Sequence, residues 1–194
     1  QQPCPDAARW PSHVRVAVNV SVRQFRAPGL RSVILQAVAA SGIDPRRLEL
    51  EITESVFLDD AGETLALLHA LRGIGSRVAL DDFGTGYSSL SYLRSFPFDK
   101  LKIDKSFVDE IEEPSAAAIV QSILALAQAL GMDTTAEGVE TRPQLDMLRA
   151  QGCKTIQGFL LGRPMAAADA LRLCYGPDAA ARAKVFASNP AQLY

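Results

Sequence analysis

Arg77-Val78-Ala79-Leu80-Asp81-Asp82-Phe83-Gly84-Thr85-Gly86-Tyr87-Ser88-Ser89 is the stretch on which the reading of this 194-residue chain turns. An apolar strand runs into two adjacent carboxylates and then into a glycine-rich turn. Taking an ionised carboxylate out of water costs several kcal/mol unless a cation or hydrogen-bond donors compensate. The glycines let the backbone turn tightly against whatever is held there. A bound divalent metal is the simplest compensation. Two other readings stand beside it. Asp ahead of Gly is common turn chemistry, the carboxylate bonding its own backbone. Asp82-Phe83-Gly84 also spells the kinase metal-binding triplet, but the glycine-rich loop, strand lysine and His-Arg-Asp loop that a kinase needs upstream are absent from the sequence.

The same pattern, an apolar run ending in a polar, metal-competent residue, recurs on both sides. Upstream, Val14 to Val20 reads as a buried strand ending at Asn19 and Ser21, and Leu30 to Ala40 as a helix closed by Gly42. Leu48 to Thr53 is the next strand, carrying Glu51 and followed by Glu54. Its helix runs from an Asp59-Asp60 cap through Leu65, Leu67, Leu68 and Leu71 to Gly73. Downstream of the Val78 to Asp82 strand, a short helix covers Leu90 to Leu93, and Leu101 to Ile103 makes a fourth strand. Lys102 and Asp104 share a face there, because strand side chains two apart point the same way. Ala116 to Leu130 forms a long helix stopped by Gly131, Thr134 to Glu137 a fifth strand, and Thr141 caps a helix holding Leu145, Met147 and Leu148. Thr155 to Gln157 is a short sixth strand before Gly158. Helices around Ala168 to Leu173 and Ala179 to Phe186 close the chain.

Strands alternating with helices imply an α/β fold with a parallel sheet. Polar residues at successive strand ends, Asn19, Glu51, Asp81, Lys102, Glu137 and Gln157, imply a (β/α)8 barrel of the TIM type, whose active site lies on that face. An open doubly wound sheet is the competing architecture, but it gathers ligands at one switch point. Six strand-helix units against the eight of a barrel predict a single partial domain over residues 1–194, incomplete at its N-terminus. The start at Gln1, without Met, reads as a cut from something longer.

Composition narrows the function classes. Hydrophobic residues make up 48% and charged residues 22%, enough for one sizeable core. A net charge of -2 provides no basic field for a nucleic-acid backbone, so no DNA or RNA polymer is expected as partner, and an anionic ligand must be held locally. Cys4, Cys153 and Cys174 form no CxxC pair and no cluster with histidine, which argues against a disulfide framework or a zinc site and fits a reducing cytosol. His13 and His69 lie far apart beside apolar residues and read as structural or surface groups. No apolar run reaches the ~18 residues that span a bilayer, and the start lacks a basic-then-apolar signal. The expected location is cytoplasmic, with any membrane anchor left to a parent protein.

Asn19, Glu51, Asp81 and Asp82 offer oxygen ligands only, which suit Mg²⁺ or Mn²⁺ rather than zinc or copper. With Glu137 and Asp104 added, the negative charge exceeds what one ion offsets. Two ions about 3.5 to 4 Å apart would offset it and stabilise both the attacking and leaving oxygens of a phosphodiester. Lys102 would then orient the attacking oxygen or neutralise charge developing on the phosphate. A rival role for Lys102 is the Schiff-base nucleophile of an aldolase-type barrel. The surrounding carboxylates, which keep a lysine protonated, oppose it.

Val18-Asn19-Val20-Ser21, Glu51-Ile52-Thr53-Glu54, Asp81 to Ser89, Lys102-Ile103-Asp104, Ala136-Glu137-Gly138-Val139-Glu140 and Gln157-Gly158 together resemble the EAL-domain family. Its members are cyclic di-GMP phosphodiesterases with a barrel fold. The match runs in order over about 16–164, leaving the C-terminal helices of 165–194 beyond it. The resemblance implies Asn19, Glu51 and Asp81 as metal ligands, with Asp82 and Asp104 serving a second Mg²⁺ or Mn²⁺. It implies Glu137 acting on the catalytic water as base or ligand, with Lys102 beside it. Glu54 would hold the Asp-Asp-Phe-Gly loop in its active position, and Gln157 would be a polar contact near water or substrate. The implied substrate is cyclic di-GMP and the product the linear guanosine dinucleotide. A homodimer is implied through the region around 87–96, where Tyr87, Leu90, Tyr92, Leu93 and Phe96 present more apolar surface than one short helix easily buries. The Glu-Ala-Leu motif that names the family, with its further metal-ligating Glu, is not in the chain. Without it, these residues alone are expected to turn over slowly. A receptor that binds the dinucleotide without cutting it is the alternative. Such receptors usually lose carboxylates, and here every position in hand is filled.

Overall fold

Leu48–Thr53 (β2) is buried at five of its six positions, the pattern of a parallel strand covered on both faces. The computed structural model describes residues 8, 10–57, 61–84, 90–166 and 169. The expected Asp59-Asp60 cap, residues 85–89 and the two expected C-terminal helices therefore lie outside the described residues. In chain order the elements are β1 (Val16–Asn19), α1 (Val22–Arg26), α2 (Leu30–Ser41), β2, α3 (Ala61–Gly73), β3 (Arg77–Phe83), α4 (Leu90–Ser95), β4 (Lys100–Ile103), α5 (Lys105–Asp109), α6 (Pro114–Ala129), β5 (Asp133–Ala136), α7 (Arg142–Ala150) and β6 (Thr155–Ile156). The strands lie in the sheet in chain order, β1-β2-β3-β4-β5-β6. β1 with β2, β3 with β4, β4 with β5 and β5 with β6 all pair in parallel. A doubly wound sheet reverses its strand order at a switch point; this one does not, so the order is that of a (β/α) barrel.

The chain divides into two compact units, one of residues Gln1–Val78 with Pro164–Tyr194 and one of Ala79–Arg163. In the first, β1 and β2 run in register from Val16 opposite Leu48 to Asn19 opposite Glu51. Val20 extends the ladder, its N–H donating to the Glu51 carbonyl at 2.8 Å. The connection α2 ends where expected: Gly42 at φ 70° donates its N–H to Val38, a left-handed cap that only a residue without Cβ adopts at no cost. α1 was not expected from the pattern. Ser21 starts it through a reciprocal capping box with Gln24. Val16 and Ile43 anchor a small core against Trp10, Val18 and Val38.

In the second unit β4 is the central strand, with Leu101 and Ile103 fully buried. α6 opens on Pro114, whose missing N–H is no loss in a first turn, and packs on β4 and β5. It buries Val120, Ile123 and Leu124, each contributing about 1.5–3 kcal/mol of transfer free energy. α7 begins at the predicted cap, Thr141, again in a capping box, with Gln144. Leu93 and Phe96, expected to add to a dimer surface, are buried within this unit, and Tyr92 meets Phe96 edge-on at 5.6 Å.

Candidate active site

Adjacent residues on a strand point to opposite faces, so Asp81 and Asp82 of a regular β3 would diverge. In the ladder, Leu80 lies opposite Leu101 and Phe83 opposite Ile103, so β3 has two residues where β4 has only Lys102. That is a β-bulge, an extra residue that bends the strand and re-aims a side chain. Asp82 takes up the bend at φ 53°, the one positive φ among the described non-glycine residues. Asp tolerates this left-handed region better than most residues. The Asp82 N–H donates to Asp81 Oδ1 at 3.1 Å. As a result Asp81, Asp82 and Glu137 each present an oxygen within 4.8 Å of the others, the one such acidic or His/Cys trio among the described residues.

Glu137 arrives from β5. Its N–H donates to the Ile103 carbonyl at 3.0 Å, continuing the ladder by one step beyond Ala136. Lys102, on the strand between, is 3% exposed. Its Nζ lies 2.9 Å from Asp81 Oδ1 and 2.7 Å from Glu137 Oε1. A buried ammonium must be paired, and here two carboxylates pair it. Burial pushes the Glu137 carboxyl above its usual range; Lys102 draws it down, and Asp81 and Asp82 push it up again.

The donor set fits a divalent cation. Three carboxylates against one ammonium leave two negative charges in a largely buried cluster. Only oxygens converge, as hard ions require. Lys102 is ion-paired on two sides rather than set among apolar neighbours, so the geometry gives the aldolase-type role no support. His13 and His69 are both exposed and take no part.

The other expected site residues are placed as follows. In the first unit Asn19 and Glu51 are register partners, Asn19 exposed and Glu51 buried. Glu54 opens the 3-10 turn Glu54–Phe57 directly after β2, and residues 85–89 of the loop it was expected to hold lie outside the described residues. In the second unit Asp104 caps α5, its Oδ1 accepting from the Ser106 N–H at 3.0 Å and the Ser106 hydroxyl at 2.5 Å. It stands outside the trio because the chain leaves β4 at Ile103 and enters a helix at Lys105. Gln157 works through its backbone: its N–H donates to Ala136 at 2.8 Å, and its carbonyl accepts from Val139 at 2.9 Å. Both bonds stitch the end of β6 to the turn that carries Glu137. Gly158 follows because a Cβ there would lie 2.2 Å from the Val139 carbonyl oxygen.

Two features escaped the sequence reading. Glu49 is 2% exposed, with Oε2 3.8 Å from Arg77 Nε. Its signal was a glutamate two residues before Glu51 in an otherwise apolar strand. The second is α5, whose Lys105 and Phe107 lie beside the two acid-bearing turns. Five residues are too few to show a helical period, though Asp104-Lys105-Ser106 is an N-cap signal.

The family model for the EAL domain matches residues 1–164. MucR of Pseudomonas aeruginosa, a bifunctional diguanylate cyclase/cyclic di-GMP phosphodiesterase, is 46% identical over 153 residues, which is 78% of this chain and 22% of that protein. A solved structure of the MucR phosphodiesterase in complex with c-di-GMP superposes with a TM-score of 0.78 at 44% identity, covering 81% of this chain and 64% of that one. The EAL domain of Mycobacterium smegmatis DcpA superposes with a TM-score of 0.83 at 40% identity, covering 88% and 79%. A manganese/cy-diGMP complex of Klebsiella pneumoniae BlrP1 gives 0.78 at 32%, covering 84% and 43%. The chain spans about a fifth of the length of the curated relatives it matches.

Proposed function

The chain belongs to the EAL domain family, and from that premise we propose that it hydrolyses cyclic di-GMP to the linear guanosine dinucleotide. The observation that carries this reading is the cluster of Asp81, Asp82 and Glu137 closed by Lys102. Asp81 and Asp82 would hold a divalent cation, Mg²⁺ or Mn²⁺, with Glu137 at its edge. When bound, that cation supplies Lewis acidity, drawing charge off the phosphodiester and making water more acidic. On the strength of their motifs, Asn19 and Glu51 are proposed as further ligands, and Asp104 as a ligand of a second cation.

The chain's own residues supply the rest. Lys102 donates to Asp81 and Glu137 together, which fixes the Glu137 carboxylate in direction. Glu137, its proton affinity raised by burial, is suited to accept a proton from the attacking water. As the phosphorus–oxygen bond to the leaving ribose breaks, the Lys102 ammonium offsets charge on the phosphate. Gln157 is proposed as a polar contact for water or substrate, and Glu54 as the anchor of the loop beyond Gly84.

Chromatography of cyclic di-GMP incubated with the purified protein and Mn²⁺ tests the reading. The linear dinucleotide is the expected product. Tight binding of cyclic di-GMP with no product would instead make the protein a receptor. A homodimer through residues 87–96 rests on the resemblance, and light scattering across a dilution series checks it. Among the described residues no helix is long and apolar enough to cross a membrane, and a cytoplasmic location is part of the proposal.

A further inference from the structure

The five-residue helix α5 follows β4 and reaches both turns that carry the acids. On one side the Phe107 ring lies against Gly84, which has φ 96° and stands two residues after Asp82. A Cβ at Gly84 would come within 2.8 Å of Phe107 Cε2 and 3.0 Å of Cζ. On the other side the Lys105 stem covers Gly138, at φ 69°, immediately after Glu137. A Cβ there would lie 2.3 Å from Lys105 Cγ, 2.6 Å from Cδ and 2.7 Å from Cβ. The Lys105 ammonium then pairs with Glu140 at 2.9 Å and with Asp109 of its own helix at 2.8 Å. Each acid-bearing turn thus has a glycine where a side chain would stand, and α5 fills both places, one residue to each.

We propose that Lys105 and Phe107 are positioning residues that lock the Asp81-Asp82 turn to the Glu137 turn, so that α5 sets the spacing of the three carboxylates. Lys105 is half exposed, and exposed ion pairs contribute little to stability. Its effect therefore comes from the packed stem, and it falls on geometry rather than on folding. The distance between ligand oxygens tolerates little error, since a displacement of about 1 Å near reacting groups costs on the order of a hundredfold in rate. Asp104, as the cap of α5, holds the clamp at its root.

For turnover, this inference rests on the phosphodiesterase reading; its other readouts do not. The variants are Lys105→Ala, Lys105→Met and Phe107→Ala, with Phe107→Leu, which loses only the ring edge that covers Gly84, in case the alanine unfolds the protein. Amide hydrogen exchange at residues 82–84 and 137–140 is followed in metal-free protein, together with Mn²⁺ affinity by calorimetry and kcat and KM for cyclic di-GMP. Lys105→Ala and Phe107→Leu should each speed exchange in both turns, roughly tenfold, with the melting temperature held. Mn²⁺ binding should weaken and kcat fall about 10- to 100-fold at constant KM. Lys105→Met, which keeps the stem and loses the charge, should stay close to wild type. Each substitution loosening only its own turn would overturn the clamp, as would Mn²⁺ affinity unchanged in every variant. An inactive wild type whose exchange still spreads across both turns would sink the phosphodiesterase reading and leave the clamp supported.

Discussion

Asp82 carries a backbone cost in the site and a clear consequence. A left-handed backbone costs a side chain with Cβ roughly 1–2 kcal/mol, less for Asp and nothing for Gly. Asp82→Gly should therefore melt above Asp82→Ala, by about 1 kcal/mol in unfolding free energy, while both lose Mn²⁺ affinity. Calorimetric melting of the two variants checks it; equal stabilities would mean that the bend at φ 53° is not held in solution. Glu137 makes a pH prediction. Burial raises its carboxyl in the folded state above the ordinary glutamate range, so the folded protein binds more protons than the unfolded chain in the window above that range. The contribution of Glu137 to stability is then fully present below its unfolded pKa and is lost as pH rises through the folded one. Relative to Glu137→Gln, metal-free wild type should lose stability on going from acid to neutral pH, read from urea midpoints at each pH. The carboxylates were legible in the sequence because polar residues at apolar strand ends are conspicuous. The backbone device by which Asp81 and Asp82 converge was not, since alternation along a single strand predicts that they point apart, and only the register with β4 reveals the bulge.

At the scale of elements, the long helices and the short helix at Leu90 were legible, and the two five-residue helices were not. α6 stops just before the predicted Gly131 and α7 starts at the predicted Thr141 cap, whereas α1 and α5 are five residues each, shorter than two turns. That is why Asp104, read as continuing the face of Lys102, turns out to be a helix cap. Thr141→Ala removes the acceptor for the Gln144 N–H and should cost about 1 kcal/mol, with turnover unchanged; urea unfolding measures it. Gly158→Ala should do more. Its Cβ would meet the Val139 backbone at 2.2 Å, so β6 and the Glu137 turn must separate. A loss of about 1–3 kcal/mol together with weaker Mn²⁺ binding is expected, from melting and calorimetry on the same samples. Wild-type Mn²⁺ affinity in that variant would show that the Gln157–Val139 stitch does not position Glu137.

At the scale of the whole molecule, strand-helix alternation was enough to name the sheet as parallel, and the sequential strand order agrees with the barrel family rather than the doubly wound one. The pairing of buried Glu49 with Arg77 was not anticipated because nothing in a strand's own sequence says which charged neighbour the fold brings beside it. The central claim is that the acid cluster binds divalent cations and through them cleaves cyclic di-GMP. It is tested most directly by stripping the purified protein with a chelator and measuring turnover of cyclic di-GMP on adding back Mg²⁺, Mn²⁺ or Ca²⁺, with Asp81→Asn alongside. The account predicts no turnover in the stripped protein and recovery with Mg²⁺ or Mn²⁺. It predicts inhibition by Ca²⁺, whose looser coordination misplaces the reacting oxygens, and no recovery in Asp81→Asn. Full turnover in the stripped protein, or in Asp81→Asn, would contradict it.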